Sequence, residues 1–183
     1  MRFLLIEQKQ LLKTLNTIIA PERYNNEIYS ECIKVNSLQY LGTKDDQMAY
    51  LAKKDGAPIA AAISTVAPDG YNGNIHLLVA INIDGSISGV RTLKHQETPG
   101  LGDKIEIRKN SWITSFKGKI LQGEEDPLWK VKKDGGVFDQ FTGATITPRA
   151  VVKAVKNTSI FFERNKQELF STPSNCLKGQ SDE

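Results

Sequence analysis

The chain has little from which to build a metal centre. Its 183 residues include two cysteines, Cys32 and Cys176, and two histidines, His76 and His95. No Cys-x-x-Cys occurs and the histidines fall into no ligand spacing, so the sequence offers no metal site. The chain also begins without a long apolar run. Phe3-Leu4-Leu5-Ile6 gives way at once to Glu7-Gln8-Lys9. A membrane span needs about 20 apolar residues and a signal-peptide core about 7–15. Charge of one sign is scarce as well: 24 Lys and Arg against 21 Asp and Glu leave a net charge of +3. That is too weak to argue for nucleic acid, and no nucleic-acid partner is expected. The basic cluster Lys130-Val131-Lys132-Lys133 reads first as a solvated strand end. Internal repeats, low-complexity segments and any paired acid–base or nucleophile arrangement are missing too.

What is present suits a globular protein: 39% hydrophobic and 25% charged residues, at a length that allows one domain with extensions and a sizeable core. Residues 1–20 read as an N-terminal helix, 21–170 as the main domain and 171–183 as a polar, frayed tail. Leu11, Leu12, Leu15, Ile18 and Ile19 recur at helical spacing, predicting a helix from Leu4 to Ile19 that Pro21 ends. Strands are predicted at Ile28–Val35, Met48–Lys53, Pro58–Val66, Ile75–Ile83 and Ile87–Lys94, with Asp55-Gly56 and Asp84-Gly85 as turns. Gly42 to Gln47 reads as a polar loop and Asp69 to Gly73 as another. A helix is expected over Ile105–Phe116, with Trp112, Ile113 and Phe116 on one side. Leu128–Lys132 reads as a strand. The last helix runs from about Pro148 to Phe162, with Phe170 as its outer limit. Hairpin strands with helices at both ends predict an α+β fold: a twisted, mainly antiparallel sheet with packed helices.

The most informative stretch runs from Asp139 to Arg149, Asp-Gln-Phe-Thr-Gly-Ala-Thr-Ile-Thr-Pro-Arg. Thr147 is suited to cap a helix and Pro148 to follow it, where a missing N–H costs nothing. The hydroxyl of Thr145 is then expected two residues before a helix N-terminus. An anion on that hydroxyl would meet free N–H groups and the positive end of the helix dipole, and Arg149 could add a charge. On spacing alone, Thr-Gly-Ala-Thr reads first as a tight turn before a capped helix.

Asp-x-x-Thr-Gly-Ala-Thr resembles the site at which flavin transferases attach FMN to a threonine through a phosphoester. The family concerned is the FMN-binding domain of the Rnf (Rsx) complex G subunit and of the related C subunit of the sodium-pumping quinone reductase. His95-Gln96-Glu97-Thr98-Pro99-Gly100-Leu101-Gly102-Asp103-Lys104 is similar to the loop that lines the flavin ring there. Ala67 to Tyr71, Asp103 to Glu106 and Trp129 to Gly136 also look like the Rnf G subunit, and the likeness covers nearly the whole chain from Pro21 on.

The resemblance implies FMN on Thr145, with Thr142, Gly143 and Ala144 beside it and Asp139 read by the transferase. It implies Glu97, Thr98, Leu101 and Gly102 as ring contacts. Tyr71, His95 and Trp112 are possible neighbours of the flavin, with structural roles preferred. It makes the basic cluster a candidate for facing the flavin phosphate or an acidic partner. It implies an electron-carrying subunit of a membrane-bound, ion-translocating complex, with the other subunits and a flavin transferase as partners, on the periplasmic side of a bacterial inner membrane. The alternative is a structural or assembly subunit with no redox role. The family's N-terminal membrane helix is not in this sequence, so a piece cut just after the anchor is expected, with Met1 added. In a periplasmic domain Cys32 and Cys176 would form a disulfide or stay as two thiols.

Overall fold

A computed structural model describes residues 2–176. Met1 and the part of the expected polar tail from residue 177 onward lie outside the described residues. The chain begins with helix α1 (Arg2–Ile18) and then builds a five-stranded antiparallel meander. Its strands are β1 (Cys32–Ser37), β2 (Thr43–Lys54), β3 (Ala57–Gly70), β4 (Gly73–Asn82) and β5 (Ile87–Lys94), in that spatial order. A single turn, α2 (Leu38–Leu41), separates β1 from β2, and α3 (Ile146–Ser171) closes the domain. The expected α+β class, with an antiparallel sheet and packed helices, is the one observed.

Alternation along the strands sends residues to two different cores. Ala61 and Ile63 of β3 pair with Ile81 and Val79 of β4 and face α3, where Val151, Val155 and Phe162 pack on them. Ala60 and Ala62 face the other way with Ala52, Ala80 and Leu78, and receive Leu15, Ile18 and Ile19 near the end of α1. The alanines are small enough for a helix to come close. Gly89 takes this furthest: a Cβ there would stand 2.8 Å from the Ile18 side chain. α3 is fixed in register by a buried hydroxyl pair: Thr158 donates to Ala154 O at 2.8 Å, and its oxygen lies 3.0 Å from the Thr65 hydroxyl.

Several elements differ from the sequence reading. β1 starts only at Cys32, because Glu27 to Glu31 close a turn through Ser30 N and Glu31 N to Glu27 O. Residues 43–47 form the start of β2 rather than a loop. They pair with β1 alone, which leaves them exposed and explains their polarity. α2 went unread: Ser37 caps it by accepting from Tyr40 N, and Gly42 ends it at φ 72°. Any side chain on Gly42 would meet Val66 O at 2.0 Å. The helix expected over Ile105–Phe116 is instead two 3-10 segments, Gly102–Ile105 and Ser111–Phe116. Asn110, extended at φ −161°, turns its side chain onto Trp112 N and interrupts the run, as Asn does when it competes with helix geometry. Leu128–Lys132 is no strand. Asp126 holds Gln122 N and Leu128 N at 2.9 Å each, and one isolated bridge joins Val131 to Phe138.

The chain after Ser171 is not frayed where it is described. Asn175 N donates to Cys32 O at 3.1 Å, Lys34 N donates to Asn175 Oδ1 at 2.7 Å, and Cys32 and Cys176 are joined by a disulfide. This return covers part of the open edge of β1. The bridge spans 144 positions. Reduction is expected to cost about 2–5 kcal/mol of stability. Urea unfolding with and without reductant checks this, and a non-reduced mass two protons below the reduced one checks the bridge itself.

Candidate functional site

Three connections meet at one end of the sheet. They are the β3–β4 turn at Tyr71-Asn72, the loop that follows β5, and the segment entering α3. Between them lies a cavity of about 250 Å³, lined by Tyr71, Thr98, Leu101, Gly102 and the run Gly143 to Thr147. The motif and the Glu97 loop are therefore brought together, with Gly102 and Gly143 41 positions apart in the chain: Leu101 Cδ2 would be 3.5 Å from a Cβ on Gly143. Phe141 to Ala144 forms a tight turn closed by Ala144 N to Phe141 O at 3.2 Å, and Gly143 supplies its positive φ of 76°.

The start of α3 differs from the expected one. The helix begins at Ile146, so Thr145 itself is the N-cap residue, at φ −77° and ψ −29°, with no capping bond from its hydroxyl. That hydroxyl is left without a structural duty at the cavity wall, beside first-turn amides that have no partner one turn back. Thr147, expected to cap, is buried and donates to Glu97 Oε1 at 2.6 Å. Pro148 sits at the third helical position, where a missing N–H still loses no helical bond. Arg149 does not turn to the cavity. It makes a two-pronged pair with Asp134, Nε to Oδ2 at 2.8 Å and Nη2 to Oδ1 at 2.7 Å, which lowers the Asp134 carboxyl and raises the guanidinium. It lines a separate groove with Lys130, Lys153 and Lys156.

Of the expected ring contacts, Thr98, Leu101 and Gly102 line the cavity, and Leu101 is 40% exposed. Glu97 stands behind the wall. Its oxygens accept from Tyr71 N at 2.9 Å and Asn72 N at 2.8 Å as well as from Thr147. Gly143, Ala144 and Thr145 line the cavity, whereas Thr142 and Asp139 face a neighbouring groove with Trp112 and Phe141. The Asp139 carboxylate pairs with Lys132 at 2.7 Å on the surface rather than capping an amide, and its carbonyl accepts from the Trp112 indole at 2.8 Å. Of the basic cluster, Lys132 is thus paired, and Lys130 and Val131 line the groove that Arg149 shares.

The loop after β5 is anchored on the side away from the cavity. His95 Nδ1 accepts from Glu97 N at 2.9 Å and its Nε2 meets Glu106 at 2.9 Å. The His95 bond, ahead of Lys109, holds the Glu106 carboxyl below its ordinary range. Asp103 is buried, accepts from Lys109 at 2.7 Å and Gly100 N at 3.0 Å, and is lowered chiefly by Lys109. His95 thus braces this loop, and the Trp112 indole braces the Asp139 backbone. Tyr71, for which a structural role was preferred, is 66% exposed and lines the cavity. Ile146 and Thr147 were not read as site residues, although their place beside Thr145 was the signal that pointed to them.

The chain is thus a sheet-and-helix domain with a small cavity where Thr145 stands at the N-cap position of α3. Residues 70–159 match the FMN-binding domain family. The crystal structure of Shewanella oneidensis NqrC superposes with a TM-score of 0.53 at 23% identity, over 80% of this chain and 73% of that one, a likeness of fold. The chain belongs to the family of G subunits of ion-translocating oxidoreductase complexes. It is 54% identical over 170 residues to the G subunit of the Shewanella oneidensis complex, covering 93% of this chain and 80% of that protein. The G subunit of the Aliivibrio fischeri (strain MJ11) complex is 51% identical over 170 residues, with 93% and 81% covered. Among the described residues no helix is long and apolar enough to cross a membrane.

Proposed function

We propose that this chain carries electrons within an ion-translocating oxidoreductase complex by means of FMN held on Thr145 through a phosphoester. The observation that carries this reading is the Thr145 hydroxyl, which makes no capping bond, lies at a cavity wall and precedes a helix start. The residues fit the group. Gly143 and Ala144 leave the approach to Thr145 open. A phosphodiester keeps one negative charge, which the first-turn amides of α3 are suited to offset. The apolar side of Leu101 and the Thr98 hydroxyl suit a ring with an apolar face and polar edges. The cavity of about 250 Å³ would hold the tether and part of the cofactor. The flavin supplies the redox chemistry; the protein supplies position and electrostatics.

Attachment is a phosphoryl transfer. The Thr145 oxygen would bond to the FMN phosphorus as the phosphoanhydride P–O bond of a flavin dinucleotide donor, held by a flavin transferase, breaks; the nucleoside monophosphate leaves and the Thr145 proton is released with it. Asp139 and Thr142 line their own groove, where that enzyme would read them. The other partners are the remaining subunits of the complex. The proposed location is the periplasmic side of a bacterial inner membrane. A peptide running from Asp134 to Arg149, released by trypsin from flavinylated protein, is expected to fragment with the added mass on Thr145. Added mass on Thr142 or Thr147 would contradict the assignment.

A further inference from the structure

We propose that Glu97 is a positioning residue for the flavin site and that its charge holds the flavin's reduction potential down. The first half stands on geometry alone; the second rests on the FMN reading above. Glu97 is 4% exposed. Oε1 accepts from Tyr71 N at 2.9 Å and from the Thr147 hydroxyl at 2.6 Å, and Oε2 accepts from Asn72 N at 2.8 Å. The donors come from the β3–β4 turn and the first turn of α3, and Glu97 itself belongs to the loop after β5. One carboxylate therefore ties together all three walls of the cavity. The Glu97 backbone is held as well, its N–H donating to His95 Nδ1 at 2.9 Å. Gly102 closes over this bolt, and only a bare backbone fits: a Cβ there would lie 2.7 Å from Thr147 Oγ1 and 3.0 Å from Glu97 Cβ.

The hydrogen-bond partners of Glu97 among the described residues are neutral. Such donors solvate a carboxylate without cancelling its charge. Thr147 lines the cavity, so the charge stands one hydroxyl away from it, in surroundings that screen poorly. Reduction adds electrons to the flavin. A fixed negative charge at that range opposes them and lowers the potential.

The test has three readings. On the chain without flavin, Glu97→Gln is expected to speed amide exchange at Tyr71 and Asn72 about tenfold, the effect of one lost charged hydrogen bond. Unchanged exchange would overturn the clamp. On the unaltered chain, the ¹³C signal of the Glu97 side-chain carboxyl at neutral pH is expected at the ionised position. A protonated signal would overturn the charge, and this reading needs no variant to fold. On FMN-loaded protein, Glu97→Gln is expected to raise the midpoint potential by a tenfold shift between oxidised and reduced flavin, about 30 mV for two electrons. Equal potentials in the Glu97→Gln and unaltered proteins would overturn the electrostatic role. A failure of FMN to attach would count against the phosphoester reading only, because the first two readings are made without flavin.

Discussion

Thr145→Val is expected to reduce electron transfer through the complex to background while the complex still assembles. Valine keeps the shape of threonine and removes one hydroxyl. That hydroxyl makes no capping bond at the start of α3, so its loss takes nothing from the fold, and the stability change should stay within about 0.5 kcal/mol. If FMN is held there as proposed, the effect on function is all or none, because valine offers no oxygen for a phosphoester at that place. Two assays on membranes carrying the full-length subunit separate the readings: the rate of electron flow through the complex, and recovery of the other subunits with this one. Loss of flow with full recovery is the expected result. Undiminished flow would favour a structural or assembly subunit. Thr142→Val is the companion control. Its side chain faces the groove shared with Asp139 and Trp112, so it is expected to slow attachment without abolishing it.

Phe116→Ala is expected to cost about 3–5 kcal/mol, the range for emptying a large aromatic from a packed core. That is a large share of the roughly 5–15 kcal/mol typical of a whole domain. Phe116 is fully buried, with ring centroids 4.6 Å from Phe138, 5.5 Å from Trp112 and 6.3 Å from Trp129. Trp112 in turn meets Phe141 edge-on at 5.0 Å and holds Asp139 O through its indole. The long stretch between β5 and α3 has only short 3-10 turns and isolated bridges of its own. This aromatic cluster replaces the ladder bonds that it lacks, and the Thr145 turn hangs from the cluster's edge. The variant should therefore lose flavin attachment along with stability. Urea unfolding followed by Trp fluorescence gives the stability, and intact mass gives the attachment. A loss below about 1 kcal/mol would contradict a fold held there by aromatic packing.

The meander was legible because its signals are local. Asp55-Gly56 and Asp84-Gly85 mark turns, and the strands between them carry apolar runs or alternation. The second core was less so. Ala60, Ala62 and Ala80 read only as generally apolar, and their use, admitting α1 at close range, depends on a partner far away in the chain. The 105–116 error has a different cause. Trp112, Ile113 and Phe116 satisfy helical spacing, yet the same spacing suits a 3-10 turn, and Asn110 decides between them. At α3 two threonines could both cap, so the register was ambiguous by two residues; the buried bond from Thr147 to Glu97 resolves it. The motif residues Thr145, Gly143 and Ala144, with Thr98, Leu101 and Gly102, were named from their resemblance, and they line one cavity. Glu97 was named too, but its position behind the wall depends on Tyr71, Asn72 and Thr147, which no spacing rule joins to it. Arg149 was misread because Asp134, its partner, is 15 positions earlier and across a turn.

The most direct measurement is the intact mass of this chain after export to the periplasm together with a flavin transferase, beside a Thr145→Val control. The expected result is a gain equal to FMN less one water in the unaltered chain and none in the control. A folded, unmodified chain, obtained while the transferase modifies another substrate in the same cells, would contradict the covalent-carrier account.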